Sequence, residues 1–189
     1  MPLFKIWLVR IISALLICIC FTSSASIKPR PEVFTLYVDD SFSQAEMKAI
    51  SSGANMWERA TIGTIKFVLK PKHTDIKPYD LLVENVDPII LRGDPNDPGL
   101  LFFELITTGA PMLGFSPPGK YVILVPDRMK EKELIIVSAH ELGHFLGMQH
   151  IPSIMTTNLR SCITKYDLIQ FCEKYGCSTK DTIPTCPKY

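Results

Sequence analysis

The sequence predicts a mixed α+β domain, because β-branched and aromatic runs typical of strands alternate along the chain with segments of helical periodicity. Residues 33–38 (VFTLYV) and 65–69 (IKFVL) each fit a strand, and residues 121–125 (YVILV) are apolar throughout, which favours a strand buried on both faces. Further strands are predicted at 81–86 and 100–106. A short strand is predicted at 112–116, where neighbouring prolines should confine it to a sheet edge.

The first helix is predicted from a capping signal followed by an apolar stripe. Ser43 and Glu46 form a capping box, in which each side chain satisfies a backbone N–H that the first helical turn leaves unpaired. Apolar residues at helical spacing follow as far as about Thr61, and Gly63 is a stop signal. Trp57 belongs to this stripe and is predicted to be a core residue.

Two more helices are predicted in the C-terminal half of the chain. One spans about residues 130–147 and presents a core stripe to the interior, formed by Ile135, Ala139, Leu142 and Leu146. The other opens at Thr164, where Asp167 completes an acidic variant of the capping box. It is predicted to end before Gly176, which can act as a left-handed cap.

Composition excludes some classes of function. The chain has 189 residues, with 20 Lys plus Arg against 19 Asp plus Glu, so it lacks the basic excess that is normal in a nucleic-acid binder. Its 47% hydrophobic and 21% charged residues are typical of a globular domain rather than a disordered chain.

The N-terminus has the features of a secretory signal peptide. Lys5 and Arg10 form a positive region, residues 11–21 are largely apolar, and residues 23–25 offer small side chains at a cleavage site. The alternative is a membrane anchor, but the apolar run falls short of the about 20 residues that span a bilayer. We therefore expect residues 1–25 to be removed and residues 26–189 to be secreted, extracellular or periplasmic, with no membrane association after cleavage.

The cysteines that remain after signal removal are confined to the end of the chain. In an exported protein they predict two disulfides, with three pairings open. Four thiolates could instead bind zinc, but their spacing lacks the paired C-x2-C knuckles of such sites. The four residues are Cys162, Cys172, Cys177 and Cys186.

Two polar features are assigned no chemistry. The aspartates of the loop at 92–99 (RGDPNDPG) could bind calcium, but turn formation accounts for Asp, Asn, Pro and Gly equally well, so nothing supports a calcium site. His73 has no partner at metal-ligand spacing and is expected to be an ordinary polar side chain.

The sharpest signal lies in residues 140–150 (HELGHFLGMQH). His140 and His144 are four positions apart, which places both imidazoles on one helix face, one turn apart. His150 can be a third ligand if the chain turns back after the helix, and Gly147 permits that turn. Three neutral imidazoles suit one Zn²⁺ ion and leave a fourth position for water, as in catalytic zinc sites.

Glu141 follows the first of these histidines but projects at a different angle. It is therefore better placed beside a water molecule at the metal than on the metal itself. A carboxylate in this position can take the proton of the attacking water and pass it to the leaving amine. The pattern predicts zinc-dependent hydrolysis with Glu141 as the general base.

With these residues the sequence resembles the metzincin clan of zinc metalloproteases, whose signature is H-E-x-x-H-x-x-G-x-x-H followed by a methionine-containing turn. Residues 153–155 (SIM) are similar to that turn, and the resemblance implies that Met155 forms a hydrophobic floor beneath the zinc. Within the clan the chain is most similar to matrixin-like catalytic domains. The similarity in order and spacing extends to the strand at 33–38, the helix of Trp57, the segment at 112–116 and residues 163–176.

This resemblance implies a twisted mixed five-stranded sheet, two long helices and a small C-terminal subdomain with a third helix. The upper subdomain would cover about residues 26–147 and the lower one about 148–189. An extended polypeptide substrate would pair with the edge strand at 112–116 and meet a selectivity pocket formed partly by residues 151–159. The resemblance also implies one catalytic zinc, and we expect a monomer.

The predicted function is a secreted zinc metalloendopeptidase. The alternative, from a different class, is a non-catalytic zinc-containing protein of the same fold that binds a peptide or an inhibitor without turnover. Glu141 argues against that alternative, because a non-catalytic protein has no use for a general base.

Overall fold

The computed structural model describes residues 31–73, 88–97, 101, 111–150, 154 and 161–186. This part of the chain contains a five-stranded sheet and three α-helices, in agreement with the predicted α+β class. The strands are β1 (Glu32–Asp39), β2 (Ile65–Lys72), β3 (Ile89–Arg92), β4 (Gly114–Phe115) and β5 (Tyr121–Leu124). The helices are α1 (Gln44–Ala60), α2 (Glu131–Phe145) and α3 (Lys165–Tyr175).

The sheet is mixed, with strand order β2-β1-β3-β5-β4. β1 pairs in parallel with β2 and β3, and β3 pairs in parallel with β5. Only β4 runs antiparallel, with Gly114 opposite Leu124 and Phe115 opposite Ile123. The segment predicted to lie at a sheet edge is therefore the outermost strand of the sheet that the described residues form.

The strand predictions are confirmed at β1, β2, β4 and β5. β3 was not predicted, because its apolar run is only Ile89-Ile90-Leu91, directly after Pro88. The strand predicted at 81–86 lies outside the described residues, and so does that at 100–106 except for Leu101. At Leu101 the prediction is wrong, because its N–H donates to the carbonyl of Asp97 in a helical turn.

α1 begins with the predicted capping box. The Ser43 N–H donates to Glu46 Oε2 over 2.6 Å, and the Glu46 N–H donates to Ser43 Oγ over 3.3 Å. Trp57 is fully buried, and its indole N–H donates to the carbonyl of Ala139 over 2.7 Å. This bond joins α1 to α2 one residue before His140.

α2 is buried along most of its length. Ala139, Leu142 and Leu146 of the predicted stripe have no exposed surface, and Ile135 is partly buried against the same core. Buried side chains also occur off this stripe, among them Ser138 and Glu141. The helix therefore has packed neighbours on more than one side.

α3 has both predicted caps. Thr164 and Asp167 form the capping box, and Gly176 adopts a left-handed conformation with φ of 67°. The two predicted disulfides are present: Cys162–Cys186 joins segments on either side of α3, and Cys172–Cys177 joins the C-terminal part of α3 to the residues after it.

The described part of the chain contains no helix with the length and apolarity needed to cross a bilayer. Residues 31–189 form one compact unit by their internal contacts. The division into an upper and a lower subdomain near residue 147 stays a prediction.

Candidate metal centre

α2 places two histidines side by side. His140 and His144 lie one turn apart, and their Nε2 atoms are 3.2 Å from each other. His140 is buried and His144 is partly buried, so both side chains are largely shielded from solvent. Their proximity follows from the helical spacing alone.

The chain turns sharply after α2 and brings a third histidine to the pair. Gly147 has φ of 85°, a conformation that a side chain disfavours, and its N–H donates to the carbonyl of His144. The Met148 N–H donates to the carbonyl of Gly143, which closes the turn. His150 Nε2 then lies 3.0 Å from His144 Nε2.

The three imidazoles together form a set that could hold a metal ion. One nitrogen of each histidine lies within 4.8 Å of the other two. A tetrahedral zinc ion with Zn–N bonds of about 2.0–2.1 Å holds its ligand nitrogens about 3.3 Å apart. Two of the three separations, 3.0 and 3.2 Å between Nε2 atoms, are close to that value and the third is within 4.8 Å, so these residues can surround one zinc ion.

Backbone carbonyls orient two of the rings. His140 Nδ1 is 2.6 Å from the carbonyl of Ile154, and His144 Nδ1 is 3.0 Å from the carbonyl of Met148. A carbonyl only accepts, so each Nδ1 carries the proton and each Nε2 keeps its lone pair for a metal. This arrangement is common for metal-binding histidines.

Burial keeps the two helical histidines neutral. It lowers the pKa of His140, an effect that the hydrogen bond to Ile154 partly opposes. It lowers the pKa of His144 to about 4, with a further contribution from the neighbouring His140. Neutral imidazole is the form that binds metal ions, so at neutral pH no proton has to be displaced from these rings.

Glu141 lies next to the first histidine and is buried, with 5% of its surface exposed. Its Oε2 accepts no hydrogen bond from the residues that the structure describes. Burial raises the pKa of this carboxyl to about 8. A buried carboxylate without a donor is costly, and it indicates a site completed by water or a cation.

The edge strand makes room for this carboxyl group. A Cβ atom added to Gly114 would lie 2.7 Å from Glu141 Cγ and 2.9 Å from Glu141 Oε1. Only glycine allows β4 and the Glu141 side chain to approach so closely. Gly114 lies in the predicted edge segment without a predicted role, although a glycine inside a strand is itself a signal of close approach.

The remaining sequence-predicted features lie elsewhere or outside the described residues. Met155 and most of the proposed pocket segment 151–159 are among the residues that the structure does not describe. His73 lies on the surface, with Nδ1 3.0 Å from an Asp40 carboxylate oxygen, and does not join the three histidines. The backbone acceptors at Met148 and Ile154 have no side-chain signature and were not predicted.

Comparison with known proteins gives a fold but no family. No protein-family model matches the sequence, and no curated protein is similar to it in sequence. Among solved structures the chain is similar to archaemetzincin from Methanopyrus kandleri, with a TM-score of 0.55 and 11% identity over 80% of this chain and 99% of that one. The two proteins therefore share a fold.

Two other solved structures show weaker likeness. High choriolytic enzyme 1, a hatching enzyme zinc-protease from Oryzias latipes, matches with a TM-score of 0.43 and 16% identity over 77% of this chain and 90% of that one. Myroilysin matches with a TM-score of 0.39 and 14% identity over 65% of this chain and 50% of that one. TM-scores below 0.5 do not establish a shared fold.

Proposed function

We propose that this chain is an exported zinc-dependent endopeptidase. Its zinc ligands are His140, His144 and His150, and Glu141 is the general base. The observation that carries the proposal is the convergence of three imidazoles beside a buried carboxyl group that has no hydrogen-bond donor for its Oε2. The fold shared with archaemetzincin supports it, since that name marks a metzincin.

Zinc bound by the three histidines would lower the pKa of water and stabilise the negative charge that develops on the peptide carbonyl oxygen. Glu141 would take the proton of the attacking water and later deliver it to the leaving amine. A carboxyl pKa of about 8 suits proton donation, and a nearby cation lowers a carboxyl pKa, which suits proton acceptance. Glu141 can thus both accept and donate a proton.

The substrate of this proposal is a polypeptide in extended form. β4 is the outermost strand of the described sheet and contacts Glu141 through Gly114, so a peptide that pairs with β4 would run past the general base. Backbone pairing with an exposed strand is a common mode of peptide recognition. The proposed protein is a monomer with no nucleic-acid partner.

Export is part of the proposal. The two disulfides suit an oxidising compartment, and the first 25 residues have the composition of a signal peptide. Mass spectrometry of the protein secreted by an expression host should find an N-terminus near residue 26. An intact N-terminus on membrane-bound protein would contradict cleavage and support an anchor.

The test of the catalytic role compares the parent protein with Glu141→Gln. We expect the variant to retain one zinc ion per chain and to cleave an unstructured protein about 10²- to 10⁴-fold more slowly, since it lacks the proton acceptor. Glu131→Gln, a change of the same type at an exposed position of α2, is the control and should cleave at the parental rate. A Glu141→Gln variant as fast as the parent would disprove the assigned role.

The same experiment addresses the non-catalytic alternative. Hydrolysis by the parent that a chelator abolishes and zinc restores would exclude a protein that only binds peptides. A parent protein that binds one zinc ion and a peptide without cleaving it would favour that alternative.

A further inference from the structure

One face of α3 lies against the two segments on which the candidate metal ligands depend. Residues 167, 170 and 174 follow the helical spacing of i, i+3 and i+7, so they share one face of the helix. Gln170 contacts the segment that carries His150, and Asp167 contacts Ile154, whose carbonyl orients His140. Lys174 lies against the turn at Gly147.

Gln170 holds the peptide group immediately before His150. The Gln149 N–H donates to Gln170 Oε1 over 3.0 Å, and Gln170 Nε2 donates to the carbonyl of Gln149 over 3.2 Å. One carboxamide thus satisfies both backbone groups of a single residue. Because Gln149 and His150 are exposed, core packing contributes little to their placement, and this pair of bonds is a specific restraint next to the third histidine.

Asp167 acts on the first histidine through the main chain. Its fully buried Oδ2 accepts from the Ile154 N–H over 3.3 Å and from the Thr164 N–H over 2.7 Å. The carbonyl of the same Ile154 accepts from His140 Nδ1. Asp167 therefore fixes the residue that selects the tautomer of His140, in addition to capping α3.

α3 is itself well anchored by the residues that adjoin this face. Phe171 is fully buried, and its ring lies 6.2 Å from that of Trp57 in α1. Its aromatic partner Tyr175 donates its hydroxyl to the carbonyl of Leu146, just after α2. The disulfide Cys172–Cys177 joins the end of the helix to the segment that follows. A helix held in this way can serve as a fixed support.

We infer that α3 positions the metal ligands, with Gln170 as the positioning residue for His150 and Asp167 as the positioning residue for His140. The inference rests on the proposed zinc site and goes beyond it, because it assigns roles to residues outside the H-E-x-x-H-x-x-G-x-x-H motif. Outer partners of metal-binding histidines typically change metal affinity about 10- to 100-fold when they are removed.

The experiment measures zinc affinity of the full protein by competition with a colorimetric chelator. Gln170→Met keeps the length of the side chain and removes both hydrogen bonds, so we expect about 10-fold weaker zinc binding. Glu173→Met is the matched control, since Glu173 is exposed on the same helix, and it should bind zinc as the parent does. Asp167→Asn is expected to weaken binding about 10- to 100-fold.

Imidazole nitrogen chemical shifts of the zinc-loaded protein give a readout that general destabilisation would not produce. Gln170→Met should change the shifts of His150 more than those of His140, and Asp167→Asn should do the reverse. If Asp167→Asn does not fold, the Gln170→Met variant, at a half-buried position, still decides the question. Parental zinc affinity and unchanged His150 shifts in Gln170→Met would overturn the role of Gln170, and the same result for His140 in Asp167→Asn would overturn the role of Asp167.

A wrong metal site would give a different experimental result from a wrong role for α3. If the parent protein itself binds no zinc, the metal site is wrong, and the inference falls with it. If the parent binds zinc and all three variants match it, only the supporting role of α3 is wrong.

Discussion

The two halves of the candidate metal centre are built in different ways. His140 and His144 project from the interior of α2, where the hydrogen bonds of the helix fix their spacing. His150 lies in an exposed segment after Gly147 and is brought to the site by a turn and by Gln170. Helical spacing thus suffices for two ligands, whereas the third depends on residues distant in sequence.

Removing one histidine from either half should give the largest effects on zinc binding and on stability. We expect both His140→Ala and His150→Ala to lose stoichiometric zinc, because two imidazoles remain in each. Without metal the variants should differ: His140→Ala leaves the buried Ile154 carbonyl without its donor and should lower the free energy of unfolding by about 1–3 kcal/mol. His150→Ala is exposed and should change it by less than about 0.5 kcal/mol.

Urea denaturation of the metal-free variants measures this difference. The parent without metal is the reference, and the parent with zinc confirms that the site is intact. Equal losses of stability in the two variants would show that the exposed histidine is as firmly embedded as the helical one.

Glu141, in the helical half of the site, should also make the stability of the metal-free protein depend on pH. The folded protein holds the Glu141 proton up to about pH 8, whereas an unperturbed carboxyl has a pKa of 4.5, so the folded state binds more protons between these values. Its stability should therefore fall as pH rises, by up to about 1.4 kcal/mol per pH unit. His140 and His144 have lowered pKa values and act in the opposite direction, but only below their ordinary value of 6.5.

The histidines therefore do not oppose the effect of Glu141 between pH 6.5 and 8. In this range we expect the melting temperature of the metal-free parent to fall as the pH rises. Glu141→Gln removes the titrating group and should flatten the dependence. A parent protein whose melting temperature stays level across this window would show that Glu141 is already ionised in the folded state.

A substitution in the turn between the two halves should have the smallest effect on zinc binding. Gly147→Ala places a side chain at φ of 85° and should cost about 1–2 kcal/mol. Gly63→Ala is the matched control, because Gly63 has φ of 71° with open space around it and lies directly after α1. An alanine at position 147 also displaces the Lys174 ammonium, but this is the end of a flexible side chain, so both variants should lose similar stability in denaturation experiments.

Zinc affinity separates these two glycine variants. Gly147→Ala displaces the segment of His150 and should weaken zinc binding by about 10-fold or more, whereas Gly63→Ala should leave it unchanged. Equal zinc affinities would show that the third histidine finds its place without the turn.

Local patterns were sufficient to predict much of the fold. Capping boxes at Ser43 and Thr164 marked where α1 and α3 begin, because the cap is a contact between residues three apart. The four-residue apolar strand β5 was found because both of its faces are buried. β3 was missed because its burial comes from β1 and β5, which are its neighbours in the sheet but not in the sequence.

In the candidate site too, contacts between residues close in sequence are predictable and contacts between distant residues are not. The spacing of His140 and His144 predicts their proximity, and Gly147 predicts the turn that follows. The contacts of Gly114 with Glu141 and of Gln170 with Gln149 join segments at least 21 residues apart, and no local pattern encodes them. The Ile154 carbonyl is a backbone group, so its role could not be predicted from the identity of the side chain.

The brevity of β4 has a consequence for the behaviour of the protein at high concentration. An open sheet edge can recruit the same edge of another copy and start the growth of fibrils. β4 has only two residues, and Pro111 precedes it while Pro117 and Pro118 follow it. Prolines cannot donate to a neighbouring strand, so any ladder started here would end within a few residues. With so few backbone donors between the flanking prolines, β4 is a poor template for fibril growth.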